Sequence, residues 1–508
     1  MISQTMRRRG APKRSTAGTL LIAMSTAAAL AGCAKFTPDG GMSTVQYVAE
    51  KALQKDVDRI RTDADAAEAE ARVRGILASG LTADKAVQVA LLNNRGLQAG
   101  FAELAMIEAE SVEAGLPPSP TISLGRTTAT LISSTPAVGA ILEIERHVLV
   151  NLLSLATLPR RREIAEQRFR QAQLRAAEAV LRIAADTRRA YFRAVASAQT
   201  VVLLEEAKSA AEAASEIAKR LGETGALNKL DQAREHVFYA DLGAQLAAAK
   251  LRRGSDRERL IRLMGLWGKD ANLRTPTRLP SLPARPDSLD NIEAEAIEKR
   301  IDLAIARMDL DILAKSYGLT RSTRFLNVLE ISGRSIFERE KVSTLLPDGD
   351  VEFDRTKTRF RGFDLEFQIP LWDFGKARTR KAEETYLQAV HRIAERAVNI
   401  RSEVREAYSG YRGSWDMAMH YQKEVIPLRK IISDETMLRY NAMIADLSVL
   451  LIDARARIMS NVAAIEAQRD FHIAKTDMRV AIIGGGVGGG GGEAPKTAAA
   501  GGGEAPGH

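Results

Sequence analysis

The stretch FDLEFQIPLWDFGKAR, residues 363–378, changes its period halfway along, and that change sets the fold. In its first nine residues Phe363, Leu365, Phe367, Ile369 and Leu371 fall on one face, and Asp364, Glu366 and Gln368 on the other. A period of two marks a strand with one apolar face. Beyond Gly375 a polar–apolar helical run, Lys376–Asn441, is punctuated only by Gly410, Gly413 and Pro427. A turn around Ala442–Asp446 follows, and the chain returns from Leu447 to Ile483, ending at Gly484. The pattern predicts a strand feeding a long helical hairpin.

The same order occurs earlier. LEIERHVLVNLL (142–153) puts Leu142, Ile144, Val148, Val150 and Leu152 on one face and Glu143, Glu145, His147 and Asn151 on the other, with Arg146 and Leu149 breaking the alternation. Pro159 then precedes a run from Arg160 to Leu221 without Gly or Pro, so a helix starting there is expected. Its stripe, Ala165, Phe169, Ala172, Ala176, Ala179 and Ile183, keeps a helical period. The run breaks at Gly222–Gly225, and a return helix is expected from about Leu230 to Met264.

Local matches argue that the two halves are one duplicated unit. DTRRAYFRA (186–194) sits over EVREAYSGY (403–411), KRLGETGALNKLDQAR (219–234) over LRYNAMIADLSVLLIDAR (438–455) with a short insertion, and RLMG (262–265) over AIIG (481–484). Shorter helices are expected at Thr82–Ala114 and Leu289–Tyr317, each followed by a strand, PSPTISLGRTT (118–128) and RFLNVLEIS (324–332). The expected organisation is 1–32 signal peptide, 33–80 lipidated extension, 81–280 and 281–484 the two repeats, and 485–508 a disordered Gly-rich tail.

Alternating strands suit either a half-buried sheet on a soluble core or the wall of a transmembrane barrel, where strands of about 9–11 residues suffice. Four strands cannot close a barrel, which starts at about eight, and lipid does not tolerate open edges. A membrane setting therefore requires further copies, and three would supply twelve strands.

The N-terminus favours that setting. Arg7, Arg8, Arg9, Lys13 and Arg14 precede an apolar run of small residues, Gly18–Leu30, and then Leu30-Ala31-Gly32-Cys33. This reads as an export signal, and the run is too short to span a bilayer as a helix. Cys33, the only cysteine, stands where the cut would fall, which leaves no thiol for a disulfide or a metal. The net charge of +9 shrinks to +4 once residues 1–32 are set aside, so the remainder is a mixed-charge surface rather than a nucleic-acid-binding patch. Aromatics at 5 % and charged residues at 27 % fit long helices.

Four stretches together resemble the TolC-type outer-membrane efflux proteins in their lipoprotein branch: LAGC, LTADKAVQVALLNNRGLQAG (81–100), FQIPLWDFGKAR (367–378) and RYNAMIADLSVLLIDARARIM (439–459). The resemblance implies a mainly α fold with a small β part. Duplicated antiparallel hairpins would form an α-barrel, and four strands per chain would join a trimeric twelve-stranded outer-membrane β-barrel. It implies covalent lipid on Cys33, anchoring in outer-membrane lipid and extension into the periplasm. It also implies three kinds of partner: two further copies in a homotrimer, a periplasmic adaptor and an inner-membrane efflux transporter. The adaptor-contact tips would be Gly225, Ala226 and Leu227, and Met443, Ile444 and Ala445, the second turn lacking the glycine. Asp453 takes the place of an acid that constricts the closed channel, and with Arg455 it is the expected periplasmic gate. The family's other acidic position falls near Leu450, and LATLPRRRE (155–163) lacks the glycine that WDFGKAR keeps.

No enzyme is expected. Histidines 147, 236, 391, 420, 472 and 508 form no metal-ligand motif, and His236 and His472, beside Phe238 and Phe471, read as packed or surface residues. Met417-Ala418-Met419-His420 would fan over several helix faces, GGGVGGGGG follows no βαβ unit, and Arg160-Arg161-Arg162 reads as a lipid-headgroup cluster at a strand–helix junction. The expected function is passive conduction from periplasm to exterior. The alternatives are a non-channel coiled-coil lipoprotein, tether or adaptor, and the channel of a type I secretion system.

Overall fold

The computed structural model describes residues 36–132, 137–288, 291–346 and 349–484. The expected signal peptide, the lipidated Cys33 and the Gly-rich tail lie outside the described residues. The described residues divide into two compact units, one comprising 36–41 with Glu103–Ala172 and Ala306–Arg392, the other Met42–Ala102, Gln173–Ile305 and 393–484.

The elements in chain order begin with α1 Met42–Leu53, α2 Asp63–Ala78, α3 Ala83–Asn93, α4 Arg95–Ala114, β1 Thr121–Ile132 and β2 Ala137–Asn151. They continue with α5 Leu152–Glu223, α6 Lys229–Leu263, α7 Ile292–Lys299, α8 Ile301–Ser322, β3 Val328–Leu345 and β4 Val351–Gln368. The last helices are α9 Lys376–His420, α10 Ile426–Asn441 and α11 Leu447–Ile483. A helix pair, two strands, a long helix and a return helix thus occur twice.

In the first unit β1 to β4 form one antiparallel sheet in sequential order. The strands run to 12, 15, 18 and 18 residues, longer than the 9–11 expected. In the turn-side halves of β3 and β4, Glu338–Lys341 alternate in charge sign and Arg355, Lys357, Arg359 and Arg361 alternate with Thr356, Thr358 and Phe360, so these halves lack the hydrophobic signature of a strand. β4 stops at Gln368, before Ile369 and Leu371, because Pro370 has no N–H to continue the ladder.

The long helices also differ from expectation. α5 begins at Leu152, so Pro159 lies inside it. The start is set by Asn151, whose Oδ1 accepts from Ser154 N at 2.7 Å as an N-cap, while its Nδ2 donates to Glu330 at 2.9 Å. At 1.5 Å per residue its 72 residues extend about 108 Å. In the second half the crossing from β4 to α9 needs a loop: Gly375 has φ +70°, and a Cβ there would meet Arg324 O at 2.2 Å. Gly410 and Gly413 leave α9 unbroken, whereas Pro427, unable to donate to Lys423 O, follows a π turn at Tyr421–Val425.

In the second unit the two expected short helices are each split at a single extended residue, Asn94 (φ −68°, ψ 113°) and Arg300 (φ −66°, ψ 122°). One core joins Val89, Ala90 and Leu92 of α3 to Tyr191 and Val195 of α5 and Leu260 and Met264 of α6. A corresponding core joins Ile292 and Ala296 of α7 to Ile400, Val404 and Tyr411 of α9 and Phe471, Met478 and Ile482 of α11. Tyr191 donates to Leu81 O, and Tyr411, rather than the sequence-matched Tyr408, accepts from Asp287 N. Ahead of α3, α2 starts in a capping box of Thr62 and Asp65. The extended segment before it is held by the amides of Gln88 on Asp56 and Gln98 on Asp58 and Ile60.

Candidate functional site

Two regions concentrate buried or unpartnered chemistry: the hairpin turns of the second unit and the sheet of the first.

At the first turn the N–H groups of Ala226 and Leu227 both donate to Leu221 O, at 2.8 and 3.1 Å, and Gly225 has φ +78°. At the second, Ile444 and Ala445 both donate to Arg439 O, at 2.9 and 3.3 Å, and Met443 has φ +56°. The turns coincide at a spacing of 218 residues, with no insertion, and methionine takes the left-handed conformation that glycine adopts without strain. Met443 and Ile444 are exposed, 94 % and 76 %, and Ala445 is half-buried like Leu227. Asn228 caps α6 by accepting from Asp231 N, while Asp446 makes no such bond to α11.

Ten residues beyond each turn stands a buried carboxylate. Asp453 on α11 is 7 % exposed, and neither of its oxygens has a hydrogen-bond partner among the described residues. The nearest charge is Arg429 Nη1 of α10 at 3.9 Å. Arg455, expected to work with Asp453, pairs instead with Asp241 of α6. The equivalent of Asp453 in the first hairpin is Glu235, 3 % exposed, with Oε2 unpartnered among the described residues. Burial pushes the Glu235 carboxyl above its ordinary range. Sequence reading missed Glu235 because the matched stretches were aligned with an insertion, which pairs Arg234 with Arg455 and shifts the acids apart. Between α6 and α11 runs a groove of about 440 Å³ lined by Leu230, Val237, Phe238, Leu451 and Ile452 and edged by Arg234, Asp241 and Arg455.

The sheet separates its charges. Directly paired residues share a face, so the register assigns every strand residue. One face carries Ile122, Leu124, Val148, Val150, Ile331, Phe363, Leu365 and Phe367 near the strand ends that lead to the helices. The same face carries Arg146, level with Leu124, then Arg126 and, toward the β3–β4 turn, Arg339, Lys341, Arg355, Lys357, Arg359 and Arg361, and its described residues include no carboxylate. Arg359 lies over the Phe337 ring, 5.9 Å from its centre, as residues on one face must. The other face carries Glu143, Glu145, Glu330, Glu338, Glu340, Glu352, Asp354, Asp364 and Glu366, with Arg334 the one arginine, 3.8 Å from Asp364. Ile122, Leu124, Phe363 and Phe367 are exposed, Leu124 and Phe363 by 77 % and 78 %. Arg146, which interrupts the sequence alternation of β2, belongs to the basic set.

No family model matches the sequence, and no curated protein matches it. Solved structures do. They include the CmeC outer membrane channel of Campylobacter jejuni, 17 % identical over 79 % of this chain and 85 % of that one, with a TM-score of 0.66. They include VceC, an outer membrane protein of Vibrio cholerae, 13 % identical over 79 % and 96 %, with a TM-score of 0.62. The open state of the Neisseria gonorrhoeae MtrE outer membrane channel matches at 17 % identity over 79 % and 88 %, with a TM-score of 0.59. The chain has the fold of the TolC-type outer-membrane channels.

Within this TolC-type fold no described helix is long and apolar enough to cross a membrane. Among the described residues no group of three His, Cys, Asp or Glu is placed to hold a metal. His472 stacks on Phe192 with ring centres 4.7 Å apart, and its Nε2 lies 3.0 Å from Pro280 O. Burial and the charge of Lys475 hold this imidazole below its ordinary pKa, so it packs as a neutral ring. His420 sits 3.1 Å from Glu424, while Met417 is exposed and Ala418 buried, so that tetrapeptide splits across helix faces.

Proposed function

We infer that the chain is the outer-membrane duct of a tripartite efflux system, conducting substrates passively from periplasm to exterior as a homotrimer. The observation that carries this reading is the sheet. It has four strands, unpaired edges at β1 and β4 among the described residues, and large apolar side chains exposed on one face. Such a face is stable against lipid, and such edges are stable only when paired with another copy, so three chains closing a twelve-stranded barrel satisfy both demands. A soluble tether or adaptor has no use for either feature. The acidic face then lines the pore.

The hairpin turns would lie at the periplasmic tip, where Gly225–Leu227 and Met443–Ala445, with the apolar groove beside them, would receive an adaptor coupled to an inner-membrane transporter. The buried Asp453, facing Arg429, would hold the tip closed, and Arg455, tied to Asp241, would fasten α11 to α6. Lipid on Cys33 would add an anchor beside the barrel. Full-length protein from outer membranes should run as a heat-modifiable trimer in detergent and form pores in planar bilayers. A monomer released without detergent would overturn the duct. Asp453→Ala should raise passive leakage of large antibiotics, and an unchanged conductance for that variant would remove Asp453 from the gate.

A further inference from the structure

The basic face of β3 and β4 has no use in conduction. Arg339 stands directly opposite Lys357, and Lys341 opposite Arg355, two like-charge pairs on adjacent strands. Arg359 and Arg361 extend the stripe along β4. Like charges directly opposite one another destabilise a sheet, and carboxylates on the same strands could have relieved them. Instead Glu338, Glu340, Glu352 and Asp354 all point to the opposite face, and none of the six cations makes an ion pair among the described residues. The Nε of Arg339 has no hydrogen-bond partner there either. Blunting of the β4 edge would be served by charge of either sign, so it does not explain a stripe of one sign.

Position supplies the counter-charge. On β4 the exposed apolar residues of this face, Phe367, Leu365 and Phe363, end at Phe363, and Arg361 is the next residue of the same face toward the turn. The stripe therefore stands at the headgroup level of the leaflet farther from the helices, on the lipid side of the wall. We propose that Arg339, Lys341, Arg355, Lys357, Arg359 and Arg361 form a docking surface for the phosphate groups of an anionic glycolipid in the outer leaflet. The proposal rests on the duct reading, which puts this face against lipid. Guanidinium groups take phosphate oxygens in bidentate fashion, and one bound headgroup neutralises both like-charge pairs at once.

The test uses the full-length protein in detergent with a fluorescent diphosphorylated glucosamine lipid and its dephosphorylated counterpart. The wild type should bind the phosphorylated form far more tightly, with affinity falling as salt rises. Replacing Arg355, Lys357, Arg359 and Arg361 together by Gln should weaken that binding about six-hundredfold, at roughly fivefold per cation near an anionic surface. The milder pair Arg355→Gln and Arg361→Gln should cost about twenty-five-fold by the same reckoning, which keeps the test decisive if the quadruple variant assembles poorly. Arg334→Gln, on the acidic face, should bind as the wild type does. Equal affinity for both lipids, or full binding by the pair variant, overturns the docking surface. Trimer size and bilayer conductance are read on the same samples. A wild type that forms neither trimer nor pore brings down the duct reading, whereas pores without phosphate selectivity bring down only this proposal.

Discussion

The two helical hairpins share a plan and differ in the chemistry that holds it. Where the short helices break, the first half uses Asn94, whose amide donates to Leu263 O at 2.8 Å, with Asn93 beside it on Gly265 O at 2.7 Å. The second half uses Arg300, 5 % exposed, whose guanidinium reaches Ala481 O at 3.2 Å. The residues contacted, Leu263 and Ala481, stand 218 apart like the turns, so both clamps grip the same place at the end of a return helix. A neutral amide does this alone. An arginine is a buried charge and recruits Asp302 at 2.7 Å and Glu403 at 2.7 Å, while Arg396 closes on Asp302 from α9. The charge also complements the carbonyl end of α11. One duplicated joint has thus become an ion cluster in one copy and stayed an amide clip in the other.

The largest effect is expected from removing the arginine. Arg300→Met leaves Asp302, 8 % exposed at its side chain, without its main partner, and should cost about 3–5 kcal/mol. Asn94→Ala loses one neutral bond and should cost about 1–2 kcal/mol. Urea unfolding of the two variants side by side checks the ratio. Equal losses would show that the joints are energetically alike.

Acid should separate the halves in opposite directions. Burial works to raise the Asp302 carboxyl, but Arg300 and then Arg396, by hydrogen bond and charge, overcome it and hold it below the ordinary value. That stability is present above about pH 4 and is lost as pH falls through the depressed value. Glu235 has the opposite sign: its carboxyl is raised by burial alone, so its favourable share is full below about pH 4.3 and is lost as pH rises through the raised value. Acidification from neutral pH should therefore firm up the first hairpin before it loosens the second joint. Hydrogen exchange of α6 and of the Arg300 joint across this range, corrected for intrinsic rates, reads both, and Glu235→Gln should make the first hairpin insensitive. Parallel pH profiles in the two regions would break the contrast.

The smallest effect lies at the turns. Met443→Gly should stabilise the second turn by about 1 kcal/mol, and Gly225→Met should destabilise the first by a similar amount, since the left-handed conformation is strained for methionine only. Thermal melts of the two variants should shift in opposite directions. Shifts of the same sign would deny that the turns are equivalent.

The hairpins also differ on their surfaces. Leu428, Ile431 and Ile432 of α10 are exposed by 57 %, 63 % and 46 %, where α5 at the same 218-residue spacing has Ala210, Ala213 and Ala214.

How much of this was legible follows from how local each signal is. The return helix Leu447–Ile483 could be read residue for residue, since its start lies in a turn and its end in a glycine. The beginning of α5 could not, because Asn151 looks like the polar face of a strand until its carbonyl is seen capping Ser154. The turn-side halves of β3 and β4 were hidden for a related reason: Glu338–Lys341 alternate in charge sign, the β4 cations alternate with Thr356, Thr358 and Phe360, and a hydrophobicity pattern registers neither. Asp453 was expected from the resemblance around IDAR, whereas its neighbour Arg429 and its counterpart Glu235 in the first hairpin required the fold.

The sequence by itself determined the repeating order of helix, strand and hairpin, because periodicity, glycine and proline act through the backbone of a few neighbouring residues. Only the tertiary structure decided which charges meet. It set Arg300 among Asp302, Arg396 and Glu403, tied Arg455 to Asp241 rather than Asp453, and sorted the sheet into an acidic and a basic face. Charge partners depend on register and helix rotation between segments up to hundreds of residues apart, and a one-residue change in either sends a side chain to the other face.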